Sequence, residues 1–231
     1  MAADDIQLSV PDSELPGIKM LVHMSDENLE ALENALSSRR PTLDAEALAK
    51  SVAEATGLDF AAVQTVTSVL RRWAFIERRV GLSPSGLLAA LASSLEENRE
   101  WHTEDAQALS DRTESLAKLL APTGPLGVIA KATELLVEQQ FLFCKARIIT
   151  DARPVFDEQA EGMLGLIPSH CLALTYHEGP ETRELHLLMD AKDMRQLHDQ
   201  LERAQRKEKL MSRMLTEAGL TVIETESTPD A

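Results

Sequence analysis

The stretch from Ile167 to Gln205, IPSHCLALTYHEGPETRELHLLMDAKDMRQLHDQLERAQ, changes its hydrophobic period once, at Asp190. Before that residue the pattern alternates. Leu172, Leu174 and Tyr176 share one face of a first run, and Leu185, Leu187 and Met189 share one face of a second. A period of two is that of a half-buried strand. The two runs meet at Gly179-Pro180, a turn pair, and are predicted to form a hairpin. After Asp190 the period becomes helical. Met194, Leu197, Leu201, Ala204, Met211 and Leu215 follow a 3–4 spacing, with Glu208 the one polar break. Asp190 is placed to cap this helix and Asp193 to complete a capping box. The stripe is close to a heptad and is longer than three short strands can cover.

Working toward the N-terminus, FLFCKARIITDARPVF from Phe141 is rich in β-branched and aromatic residues and reads as a further strand. DEQAEGMLG is expected to connect it to the hairpin. Working toward the C-terminus, Gly219 ends the helix, LTVIE is a candidate short strand, and STPDA is a tail.

Residues 25–140 read as helices joined by short links, hence one all-α bundle. Ser25 is predicted to cap the first helix, with Leu29, Leu32 and Leu36 inward. Thr42 is predicted to cap the second, with Leu48, Val52 and Ala55 inward and Gly57 as its stop. Asp59 opens a third carrying Val63, Val66, Leu70 and Trp73, and Gly81 closes it. Ser83-Pro84 opens a fourth with Leu88, Leu91 and Leu95 inward. Thr103 opens a fifth with Ala106, Leu109, Leu116 and Leu120. After the break at Pro122–Pro125 a sixth runs from Leu126 to Gln140. Residues 1–24 read as an extension, loosely attached up to residue 15, with IKMLVHM a strand or helix lead-in. The expected organisation is an extension over 1–24, a helical domain over 25–140 and an α/β module over 141–231. The fold class is α+β.

Composition narrows the function. The chain has 231 residues, of which 44% are hydrophobic and only 3% aromatic, so aliphatic side chains carry the packing. Its net charge is −15. Residues 1–140 hold 12 basic and 22 acidic groups, and the remainder 11 and 16. Neither part offers a field that would attract phosphate backbones or anionic lipid. Two cysteines, Cys144 and Cys171, are too few for a secreted disulfide scaffold and have no zinc-ligand spacing. The opening MAADDIQLSV is acidic and lacks a signal-type apolar stretch, and no run of about 18 apolar residues could span a bilayer. A cytoplasmic protein without membrane contact is expected.

Sequence signatures of catalysis are missing: GxSxG, GxGxxG, GxxxxGKS and HExxH are all absent. The nearest approach to a reactive cluster is His170-Cys171, with His177 and His186 close on the hairpin. Adjacent strand residues point to opposite faces, so His170 and Cys171 are expected to separate. His186 and His198 read as edge or surface residues. Glu96, Glu97, Glu100, Glu104 and Asp105 read as a solvated acidic face around a helix joint. No catalytic residue, metal ligand or cofactor is expected.

ALAKSVAEATGLDFAAVQTVTSVLRRW has the outline of a helix-turn-helix. A recognition helix reads bases mainly from its N-terminal end. Here that end, DFAAVQTVT, has no Arg or Lys, while Arg71, Arg72, Arg78 and Arg79 lie at the C-terminal end, where they complement the helix dipole. An ordinary antiparallel helix pair is expected, with a DNA-binding transcriptional regulator as the alternative function.

The order of CKARIIT, the Pro168-Ser169 lead into CLALTY, RELHLLM and the long helix AKDMRQLHDQLERAQ resembles the COMM domain, over about residues 141–216. In that family a helical domain of similar size precedes the module, as over 25–140 here. The resemblance implies an interlocked dimer through sheets and helices, and a subunit or adaptor role without catalysis. From the residues and the resemblance together, a non-enzymatic protein–protein interaction function is expected, as a homodimer or hetero-oligomer without nucleic acid. Leu172, Leu174, Tyr176, Leu185 and Leu187 are the expected sheet contact. Met194, Leu197, Leu201 and Met211 are the expected helix contact.

Overall fold

A computed structural model describes residues 8–223 and Thr225. The chain divides into two compact units, one built from the chain up to Leu136 and the other spanning Val137–Val222. The STPDA tail lies outside the described residues.

The first unit is all helical. After a 3-10 turn at Asp12–Glu14 come α1 (Leu15–Val22), α2 (Asp26–Ser38), α3 (Ala45–Thr56), α4 (Phe60–Val80), α5 (Pro84–Glu96), α6 (Thr103–Leu119) and α7 (Pro125–Val137). Several starts have a local cause. The Ser25 hydroxyl accepts from the Asn28 N–H at 3.2 Å, Asp59 from Ala62 at 3.0 Å, and Ser83 from Gly86 at 3.1 Å with Pro84 at the first helical position. Gly57 and Gly81 end α3 and α4 with φ near +70°, a conformation that side-chain-bearing residues rarely adopt.

Three local expectations change. The cap of α3 is Asp44, not Thr42: its Oδ1 accepts from the Glu46 and Ala47 N–H groups at 2.9 and 3.0 Å. Asp44 stands directly before the first helical residue, and its charge suits the helix N-terminus better than a hydroxyl two residues earlier. Ala55 faces solvent, and Ala49 fills the inward position beside Leu48 and Val52. The last helix ends at Val137 rather than Gln140.

The apolar stretch expected as a lead-in is the helix α1, and it belongs to the core. Leu15, Ile18, Leu21 and Val22 are all buried, in one cluster with Leu32, Leu36, Val66, Leu70, Trp73, Leu91, Trp101, Leu109 and Leu116. Gly17 permits this. A Cβ there would stand 2.8 Å from Val69 Cγ2 and 3.0 Å from Thr65 Cγ2 of α4. β-branched side chains in a helix have little freedom to move aside, so α1 can lie against α4 only without a side chain at residue 17.

The second unit is a three-stranded antiparallel sheet, β1 (Phe141–Phe156), β2 (Met163–Glu178) and β3 (Glu181–Met189), in sequence order, followed by α8 (Ala191–Glu217). The β2–β3 hairpin turns through Gly179, at φ +60°, and Pro180. Between β1 and β2 the Asp157 carboxylate accepts from the Glu161 N–H at 2.9 Å, and Ala160 takes a positive φ of 58°. β1 matches the stretch read as a strand, whereas β2 is longer than the sequence suggests: it has 16 residues, because Met163–Leu166 pair with Pro154–Phe156. Asp190 caps α8 through its Oδ1, with Asp193 completing the box at 3.1 Å from the Asp190 N–H. Thr221–Ile223, the described end of the LTVIE candidate strand, adopt no strand, and Glu224 lies outside the described residues.

Candidate interaction surface

Register assigns the sheet two unlike faces. Leu172 stands opposite both Ile148 and Leu187, Leu174 opposite Ala146 and Leu185, and Tyr176 opposite Phe143. Directly opposed residues of an antiparallel pair point the same way. All five residues expected at the sheet contact therefore lie on one apolar face, with Phe143, Ile148 and Met189. Phe141 extends it, its ring meeting Tyr176 edge-on at 5.5 Å. The face is only partly covered. Leu172 and Met189 are buried and Leu174 and Tyr176 half-buried, but Leu185 is 45% exposed, Leu187 42% and Phe143 72%.

α8 carries the second apolar feature. Its 27 residues make a rod of about 40 Å. Met194, Leu197, Leu201, Ala204, Met211 and Leu215 form the stripe, and not one residue of the helix is buried. Met194 and Leu197, in its first two turns, are half-buried, while Leu201 is 58% and Met211 60% exposed. Leu210 and Met214 add exposed apolar surface beside the stripe. The structure thus gathers the sheet residues onto one face and leaves the C-terminal two-thirds of the helix stripe uncovered. Sequence reasoning missed Phe143 and Ile148. Their place on the apolar face was signalled only by the register of β1, which a bulge at Cys144 resets.

The opposite face of the sheet is mixed. Lys145 and Arg147 of β1, Cys171 and Thr175 of β2, and Glu184 and His186 of β3 lie on it, with Ile149 and Leu188 directly opposite Cys171. His170 and Cys171 do separate: His170 Nδ1 meets the Thr150 hydroxyl at 2.9 Å on the apolar side, and Cys171 Sγ meets His186 Nδ1 at 3.6 Å on the mixed side. His177 meets the Thr182 hydroxyl at 3.2 Å. His198 is exposed on α8 beside Glu202.

Within the helical unit, one acidic residue departs from expectation. Asp105 is buried, not solvated. Its carboxylate accepts from Lys19 Nζ at 2.9 Å, from the His102 N–H at 3.0 Å and from His23 Nε2 at 2.7 Å. Burial alone would raise its pKa, but these donors outweigh it and hold the carboxyl well below the usual range. The cluster ties α1 to the start of α6. Across the helix-turn-helix outline, Arg71 donates to the Leu43 carbonyl at 2.8 Å, Arg72 pairs with Glu14, and Arg78 pairs with Glu134 at 2.6 Å. The outward residues at the start of α4, Phe60, Ala61, Gln64 and Ser68, carry no cation.

Among the described residues no group of three or more His, Cys, Asp or Glu could hold a metal ion, and no helix is long and apolar enough to cross a membrane. Comparison with known protein families and with curated proteins gives no match.

Proposed function

We propose that the chain is a non-enzymatic interaction protein that assembles through its C-terminal unit, joining a second copy or a different subunit by the apolar sheet face and the α8 stripe. The observation that carries this reading is that α8 buries none of its residues although it holds an apolar stripe broken only at Glu208. Full burial of a Leu, Ile or Met side chain contributes about 1.5–3 kcal/mol. Five such residues left near half exposure, Ile148, Leu185, Leu187, Leu201 and Met211, forgo roughly 5 kcal/mol of burial. That is comparable to the whole net stability of a small domain, ~5–15 kcal/mol. A partner presenting a similar surface recovers it. The COMM-like order of strands and helix agrees with such pairing.

Light scattering after size exclusion tests the reading on the full chain and on a truncation ending at Gln140. The helical unit encloses its own aliphatic core, so the truncation is expected to remain helical and run as a monomer. The full chain is expected to exceed its 25.4 kDa monomer mass. A monomeric full chain removes the homomeric form of the proposal, and a truncation that still associates removes the C-terminal unit from it.

A further inference from the structure

The face of the sheet opposite the proposed interface brings together a sulfur, an imidazole and a carboxylate. Cys171 Sγ lies 3.6 Å from His186 Nδ1, and His186 Nε2 lies 3.3 Å from Glu184 Oε2. The Arg147 guanidinium stands 3.5 Å from the other Glu184 oxygen. Register explains the grouping. His186 opposes Ala173, two residues along β2 from Cys171, and Glu184 is two residues along β3 from His186, so all three side chains leave the same face.

The chemistry fixes the direction of the proton. The negative charge of Glu184, at ion-pair distance from Nε2, favours a neutral His186 that carries its proton on Nε2. Nδ1 is then the bare nitrogen, and it faces the thiol. A cysteine beside such a base gains thiolate character, and the thiolate is the nucleophile. Lys145 and Arg147 on β1 add positive charge to the face, and Asp151 and Glu184 are its carboxylates. Cys144, by contrast, is a free, exposed thiol at the bulge of β1.

We propose that Cys171 is a reactive thiol, activated by His186 and positioned by Glu184, that undergoes exchange with small disulfides. His186 Nδ1 takes the Cys171 proton, and the thiolate attacks one sulfur of the disulfide. A Cys171–S–S–R bond forms, the R–S–S–R bond breaks, and the departing thiolate takes the proton from the imidazolium. Cys171 is oxidised to the mixed disulfide while the second half of the reagent leaves as a thiol. The strand ladder occupies the surrounding backbone N–H groups, so the face offers no oxyanion site, and the outcome is modification of the chain, not turnover. The site lies on the face opposite the proposed interface and does not depend on it.

The test treats the reduced full-length protein with glutathione disulfide and follows each thiol separately by mass spectrometry of quenched digests. At neutral pH Cys171 is expected to react about tenfold faster than Cys144, which serves as the internal reference. His186→Asn is expected to bring Cys171 down to the Cys144 rate while leaving Cys144 unchanged, and Glu184→Gln to fall between. Equal rates for the two thiols overturn the proposal. So does a His186→Asn variant that leaves their ratio unaltered, including one that changes both rates together through altered folding.

Discussion

Asp105 shows how a residue read as surface charge becomes a structural tie. Its neighbours Glu104 and Glu100 conceal it in the sequence, because its two side-chain donors, Lys19 and His23, lie more than eighty positions away. Its folded pKa is depressed, so the stability it contributes is present above the ordinary carboxylate range and is lost as pH falls through the lower folded value. Asp105→Asn is therefore expected to cost about 1–3 kcal/mol near neutral pH. It should also flatten the loss of stability between about pH 4 and pH 2, as followed by urea unfolding at a series of pH values. Gly17 is a second long-range residue. Gly17→Ala drives a methyl into Val69 and Thr65, and an overpacked contact of this kind costs about 1–3 kcal/mol. Chemical denaturation should show that loss as a lower midpoint at unchanged slope. Neither role is visible in composition or spacing, because each depends on which helix lies opposite. The faces of Cys171 and His170 were legible, since strand alternation alone separates them.

For whole elements, legibility follows the strength of local signals. α2, α4 and α5 have a capping side chain and a continuous apolar spacing, and both are in the sequence. α1 has a proline and a glycine within its first turn and no side-chain cap, so its helix comes from burial against neighbours that local pattern does not contain. The first turns of β2 were hidden for a related reason: MLGL has no alternation of its own and is held by pairing with β1. α8 is the opposite case, with pattern, cap and capping box all explicit. Its stripe was read as longer than the strands can cover, and the structure leaves Leu201, Met211 and Leu215 exposed. That exposure sharpens the test of the interface. Leu201 is mostly exposed, so Leu201→Asp should leave the helical signal of an isolated chain nearly unchanged, within about 0.5 kcal/mol of stability. In an assembly the same aspartate would be buried against apolar side chains, so the associated species should shift to monomer in sedimentation or light scattering. A variant that stays folded and keeps the assembled mass would take the middle of α8 out of the interface.

At the scale of the molecule, the α+β class followed from one change of hydrophobic period at Asp190 and from the helical spacing upstream of Phe141. The two units differ in how they are stabilised. The helical unit closes an aliphatic core on itself. The sheet unit instead combines a long ladder with an apolar face and stripe left open. The assembly proposed for it rests on that exposure, at positions that the sequence period had already picked out. The aromatic residues divide along the same line. Both tryptophans of the chain, Trp73 and Trp101, are buried in the helical core, and its single tyrosine, Tyr176, lies on the apolar face of the sheet. The protein thus carries two native optical reporters. Tryptophan emission follows the helical unit, blue-shifted while its core is closed, and tyrosine absorbance follows the sheet face, so docking at that face can be watched without a label while the tryptophan signal holds still.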